Sequence, residues 1–368
     1  MRKVIMGALN HIYDICFIAL MLLLLLFAGY AKWDSQQVYT QADPIQFIQY
    51  KPSPPEMMPL EELQDMNPDV LGWLTIYDTN IDYPLVQGED NEKYLNHNPK
   101  LEAEGSGSLF LDYRNAKNFT DFNTIIFGHH MAHHEMFGDL DLFLDEDFWN
   151  EHEYGNLIYD AQNHGLQFVA MLQCDAYDFF IYHPAVNGES QRIRYINRIY
   201  ETAKYVRGVD TETLRDMQQR EADRKAALKE AGKTDDGTGS VFAERRTSPV
   251  TPDDHLVLLS TCSADITNGR FILVAKILDN PVENPFPETA EHKVTQGIDS
   301  AKVAAMIGKW SATTWIIILI VLILLVLALY VLSRYLYRRK LERLEEEARA
   351  SAAAEALEGE NAHDETDF

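Results

Sequence analysis

A thiol, a guanidinium and an imidazole stand at the borders of apolar runs in this chain. Cys262 closes Leu256-Val257-Leu258-Leu259-Ser260-Thr261-Cys262, and eight residues later Arg270 opens Arg270-Phe271-Ile272-Leu273-Val274-Ala275-Lys276-Ile277. The turn residues Thr267-Asn268-Gly269 lie between them, so the two runs read as neighbouring buried strands. That pairing would bring sulfur and guanidinium to one substrate carbonyl. His129 follows a further run, Thr124-Ile125-Ile126-Phe127, across Gly128. A histidine just past a strand end, beside a residue that lets backbone come close, is well placed to serve a site.

The chemistry open to these groups is acyl transfer. A cysteine attacks as its thiolate, an imidazole holds the proton and returns it to a leaving amine, and a fixed cation steadies the oxyanion of a tetrahedral intermediate. Each signal alone is weak, since a cysteine ending an apolar strand is ordinarily core. Their joint occurrence is what points to catalysis, and the neighbouring His130 leaves two imidazoles in play. His133 and His134 would allow a metal, but no carboxylate or thiolate stands at a recognised ligand spacing, so neither metal nor other cofactor is expected.

Several elements must position these groups. Gly72 to Ile76 and Ile81 to Val86, joined by Asp78-Thr79-Asn80, read as a hairpin. Asp90 to Leu95 reads as a turn, Ser108 to Tyr113 and Thr124 to Phe127 as strands, and Met136 to Trp149 as a core-facing helix. Asn156 to Tyr159 and Leu166 to Cys174 read as strands, which makes Cys174 a packed small apolar residue. Ile193, Ile196, Ile199 and Ala203 mark an amphipathic helix, and Thr211 to Ala231 reads as a second, solvated one before a flexible linker at Lys233 to Ser240.

The flanks suggest a membrane. Residues 15–31 and 313–333 are uncharged and long enough to span a bilayer. Arg2 and Lys3 precede the first, while Arg334, Arg338, Arg339 and Lys340 follow the second, which places both flanks in the cytoplasm and residues 32–312 outside. The expected organisation is a cytoplasmic segment 1–14, a span 15–31, an extracellular connector 32–59 that is Pro-rich and extended from Ala42 to Pro59, and a catalytic domain 60–280 with a helical insertion 191–240. A linker 281–312, a span 313–333 and a cytoplasmic tail 334–368 complete it. Of 32 Lys/Arg and 57 Asp/Glu, residues 32–312 hold 24 and 46. So acidic a surface disfavours nucleic acid, which needs a basic footprint. Three cysteines, Cys16, Cys174 and Cys262, make no local pair, although one bridge between Cys174 and Cys262 stays open.

Leu259-Ser260-Thr261-Cys262 with Arg270 resembles the sortase signature, and Gly128-His129 its histidine motif. Ile81-Asp82-Tyr83-Pro84, Asp90-Asn91 with Tyr94-Leu95, Phe110 to Asn115 and Phe127 to Met131 are similar to class B sortases in particular. The resemblance covers about residues 60–280 and implies a mainly β fold, a closed eight-stranded barrel with added helices, here flanked by two transmembrane helices. It implies a cysteine transpeptidase of Gram-positive surfaces that cuts a C-terminal sorting motif in surface proteins or pilins. The acyl group, held as a thioester, then passes to an amine of a cell-wall peptide or a pilin lysine. Cys262, His129 and Arg270 match the catalytic positions, and Asn91, Leu95, Ser260 and Thr261 match the substrate groove. Leu258 stands where the motif usually carries Thr, the insertion is longer than the family's, and a second span is more usual in class C enzymes, where Asp43-Pro44 has a counterpart in a lid motif. A hydrolase releasing to water and a non-enzymatic surface protein on the same barrel are the competing readings.

Overall fold

The computed structural model describes residues 2–52, 58–235, 237, 239–242, 250–262, 269–286 and parts of 330–350. Residues Lys32–Gln296 form one compact unit, and Met1–Ala31 with Gly297–Phe368 form a second. Helix α1 (Arg2–Ala42) is the one described helix long and apolar enough to cross a bilayer. Leu23, Leu25, Leu26 and Phe27 along it are exposed. The second expected span, 313–333, lies almost wholly outside the described residues, so two flanking transmembrane helices belong to the proposal below.

Helix α1 runs to Ala42, where the Pro-rich stretch expected to be extended begins, and it stops at Asp43-Pro44. There Asp43 accepts the Ile45 N–H at 2.9 Å and starts a 3-10 turn with proline in its first position, where a missing N–H costs nothing. A second 3-10 turn, Ile48–Tyr50, follows. Asp43-Pro44 is therefore the cap and first position of a turn within the Pro-rich stretch.

Helix α2 (Met58–Met66) leads into strands β1 (Val70–Ile76), β2 (Asp82–Val86), β3 (Leu109–Leu111) and β4 (Asn123–Phe127). The run Met136 to Trp149 is not one helix. Asp145 accepts the N–H groups of Asp147 and Phe148, separating a 3-10 segment, Gly138–Leu144, from α3 (Glu146–Glu151). Its apolar positions Phe137, Leu140 and Phe143 are nonetheless core. Then come β5 (Tyr154–Tyr159), β6 (Gln162–Asp175), α4 (Glu189–Thr202), β7 (Ala203–Val206), α5 (Thr211–Glu230), β8 (Leu256–Cys262) and β9 (Gly269–Leu278).

Pairing runs β5-β1-β2-β3-β4-β8-β9-β6 and closes from β6 back to β5, giving eight strands in a barrel with β7 added beside the far half of β6. All ladders are antiparallel except β2 with β3 and β4 with β8. The β8 and β9 runs are apolar throughout because both faces are covered. Val257, Leu259, Leu273 and Ala275 face the barrel core, while Leu256, Leu258, Ile272 and Val274 meet Tyr195, Ile196 and Ile199 of α4. Leu258, where the family motif carries Thr, is a fully buried packing residue on that outer face. The insertion is also less solvated than its charges suggest: α5 buries Leu214, Met217 and Glu221. Glu221 takes the Arg224 fork at 2.6 and 3.0 Å and the Val241 N–H at 2.9 Å, and Arg224 also holds Asp235.

Candidate active site

Two parallel strands deliver the imidazole and the thiol positions to one end of the sheet. Phe127 of β4 is the register partner of Ser260 of β8, and the ladder continues with Gly128 N–H donating to the Ser260 carbonyl at 3.2 Å. His129 and Cys262 each lie two residues past that pair. The backbone of Cys262 ends β8, while its side chain and residues 263–268 lie outside the described residues. A side chain at position 128 would drive into Leu109 and Phe137, so only glycine lets β4 run this close beneath the histidine.

His129 is half-buried, and its Nε2 lies 2.8 Å from the Leu95 carbonyl. A carbonyl only accepts, so Nε2 carries a hydrogen in every protonation state and Nδ1 is left as the nitrogen that can gain and lose one. Gly107, at φ 62°, packs its backbone under the carbonyls of Tyr94 and Leu95, where a Cβ would collide with both. The Leu95 side chain is exposed, and it is the backbone of this residue that serves the site. The second imidazole is engaged elsewhere: His130 Nε2 meets Asp141 at 2.6 Å.

Arg270 opens β9 as the register partner of Cys262 on one side and of Cys174 of β6 on the other. The three positions thus stand in one row across three antiparallel strands. Cys174 and position 262 are two strands apart, roughly 10 Å, beyond the 7 Å or so that a disulfide can bridge. The bridge left open by sequence is excluded by register, and Cys174 is a free thiol.

Cys174 is half-buried and packs against the apolar cluster on the outer face of the sheet, as expected. Burial, reinforced by the Asp178 charge, pushes its thiol up to about 12 despite Arg198 and Arg270 nearby. Tyr182 lies over the same floor, with its hydroxyl 2.8 Å from Ser260 Oγ and its ring stacked on Phe127 at 6.2 Å. Burial holds the Tyr182 phenol far above its ordinary range, so it stays protonated. Sequence reasoning missed Tyr182 and read Cys174 only as a strand residue; the register of β6 against β9 is what sets it opposite Arg270.

Of the residues matched to the substrate groove, Ser260 and Thr261 are buried. Ser260 is closed over by Tyr182, and Thr261 Oγ1 finds no hydrogen-bond partner among the described residues. Neither hydroxyl is open to solvent in this conformation. Asn91 Oδ1 accepts the Tyr113 N–H at 3.0 Å. Burial acts to raise the Asp112 carboxyl, but the Arg114 fork at 2.6 and 2.8 Å and the Asn91 amide win and hold it below the ordinary carboxylate range. Arg114 in turn reaches the Tyr182 carbonyl at 3.2 Å, linking the Asn91 and Asp112 contacts to Tyr182.

No family model matches the chain. Sortase B of Listeria monocytogenes is 38% identical over 150 residues, which cover 41% of this chain and 61% of that protein. The match thus spans less than two thirds of the Listeria protein's length. Sortase B from the type II pilus of Streptococcus pneumoniae is 38% identical, with 60% of this chain and 98% of that one covered and a TM-score of 0.43. A mutant form of Clostridium perfringens sortase B, 24% identical, aligns over 64% of this chain and 97% of its own with a TM-score of 0.51, a likeness of fold. With 38% identity carried across nearly the whole of the pneumococcal protein, this chain belongs to the sortase family.

Proposed function

We propose that the protein is a membrane-anchored cysteine transpeptidase that cuts a sorting motif in surface proteins and joins them to an amine. In the first half-reaction the Cys262 thiolate adds to the scissile carbonyl, and Arg270 faces the oxyanion that forms. Collapse breaks the C–N bond, and the amine leaves with the proton held at Nδ1 of His129. In the second half-reaction an incoming amine gives its proton back to Nδ1 as it attacks the thioester, and collapse releases the thiolate. The Leu95 carbonyl keeps Nε2–H of His129 fixed through both halves. His129 is the acid and base of this reading because His130 is committed to Asp141.

The observation that carries the proposal is the register that sets Cys262 opposite Arg270 while β4 runs parallel to β8 toward His129. Asn91 and Leu95 belong to the groove wall through the contacts already described, and Ser260 and Thr261 belong to its foundation. The apolar stretch of α1 supports an anchor at 15–31, and the composition of 313–333 supports a second. This reading puts the barrel outside the cell, both flanks in the cytoplasm, and the acceptor amine on a cell-wall peptide or a pilin lysine. The test is mass spectrometry of the full-length protein in cells, which should find a peptide acyl group on Cys262 that disappears in Cys262→Ala. A purified protein whose products ignore an added amine would instead be a hydrolase.

A further inference from the structure

The loop that carries His129 is fastened at a point the proposed chemistry does not use. It runs from His129 to Phe137 and is closed by the Phe137 N–H donating to the His129 carbonyl at 2.9 Å and by a bridge between His130 and Met136. Its outer side leans on the last residues of α1. The Tyr39 ring meets His133 edge-on with centroids 4.7 Å apart. Between them the buried phenol of Tyr83, from β2, lies 2.9 Å from the Ala42 carbonyl, 3.0 Å from the Met136 N–H and 3.2 Å from Glu135 Oε2.

Counting hydrogens fixes the state of this junction. A tyrosine hydroxyl has one hydrogen to give. The Met136 N–H can only donate and takes a lone pair of Tyr83, while the Ala42 carbonyl can only accept and takes the hydrogen. Glu135 Oε2 then faces a lone pair, and all three contacts are satisfied together only when the carboxyl carries its own proton and donates it to Tyr83. An ionised Glu135 would compete with Ala42 for the single hydrogen and leave one acceptor unpaired, a costly outcome in a buried place. The charged groups that face Glu135 are Asp43, from the turn after α1, and Asp139. Asp139 also meets His134 at 2.5 Å and the Asn80 N–H at 2.7 Å.

We infer that Tyr83 and a protonated Glu135 form a latch that clamps the end of α1 to the loop bearing His129, so that Tyr83 and Glu135 are positioning residues for that histidine and ionisation of Glu135 opens the clamp. Burial and then the Asp43 and Asp139 charges support this by holding the Glu135 carboxyl up at about 8. The latch stands on its own geometry, whereas its bearing on His129 rests on the proposed function.

The test compares full-length protein with Glu135→Gln, a neutral mimic that can still donate to Tyr83, by hydrogen exchange at matched pH. Intrinsic exchange chemistry then cancels. In peptides covering 39–50 and 130–137 the two proteins should exchange alike at pH 6.5, and at pH 9 the wild type should exchange faster by about fivefold or more. A ratio that stays the same at both pH values overturns the latch. Tyr83→Phe should speed exchange at both pH values, and adding Glu135→Gln to that variant should change nothing further; if Tyr83→Phe fails to fold, the single Glu135→Gln comparison decides alone. Turnover supplies the second arm: kcat of the wild type should fall reversibly between pH 7.5 and 9 relative to Glu135→Gln while KM stays put. Identical profiles would detach the latch from His129, and no turnover by either protein at any pH would count against the proposed function while the exchange result still judges the latch.

Discussion

Cys174 should be the slow thiol of this protein, and the size of the effect can be worked out. At pH 8 an ordinary thiol with a pKa near 8.5 is roughly one quarter thiolate, whereas one held at about 12 is about one part in ten thousand, some 2,000-fold less. The more basic thiolate is intrinsically the better nucleophile, and a Brønsted coefficient of roughly 0.45 over that difference returns about 40-fold. The expected rate with an aromatic disulfide is therefore about 50-fold below that of glutathione, before any loss from limited access. The assay is timed labelling of the full-length protein at pH 8 followed by peptide mass spectrometry, with glutathione as the reference. Asp178→Asn refines it: burial is the leading cause of the shift and the Asp178 charge the next, so removing that charge should restore less than about tenfold. Labelling of Cys174 within about fivefold of glutathione, or full recovery in Asp178→Asn, would refute the assignment of burial as the cause.

Three further outcomes follow from the same contacts. Asn91→Ala removes the acceptor of the Tyr113 N–H and the donor to Asp112, and should cost about 1–2 kcal/mol in urea unfolding. Glu221→Ala strips a buried carboxylate from Arg224 and from the Val241 N–H; a loss of about 3 kcal/mol is expected, together with faster hydrogen exchange at 240–242. Glu135 is raised from its ordinary 4.5 to about 8, so the folded state holds this proton more tightly than the unfolded one. Its stabilising contribution is full below about 4.5 and is lost as pH rises through about 8. Urea midpoints of Glu135→Gln should therefore fall less between pH 5 and pH 8.5 than those of the wild type.

The barrel was legible where covering both faces of a strand leaves an unbroken apolar run, as in β8 and β9, and where turn residues bracket it, as in the β1 to β2 hairpin. Residue types at strand ends also singled out Cys262, His129 and Arg270 as candidates, two of which the β8–β9 ladder sets opposite one another. Less was legible wherever a cap outweighs periodicity. Asp145 splits the run from Met136 to Trp149 by capping α3, and Asp43 caps a 3-10 turn inside the Pro-rich stretch that composition suggested was extended. The insertion looked solvated because its apolar positions are few; its burial is organised around Glu221, a charged residue that no hydrophobic pattern reveals.

Least legible of all were contacts made through backbone or through register. Leu95 was matched as a groove position, and its side chain is exposed while its carbonyl holds His129. Any residue supplies a carbonyl, so the identity at position 95 says nothing of the bond; Gly107, packed beneath it at φ 62°, is the only sequence trace of how tightly that backbone is placed. Cys174 likewise lies 88 residues from Cys262 in sequence and reaches the site only because β6 pairs with β9 in the register that sets it opposite Arg270. In the proposed mechanism the Arg270 position, between 174 and 262 in register, serves two cysteine positions with opposite requirements. A nucleophile at 262 needs its thiolate, and a thiol at 174 that ionised would draw the same positive charge away. Keeping Cys174 half-buried and its thiol near 12 leaves the Arg270 charge uncommitted on that side, which is the condition under which it can answer an oxyanion on the other.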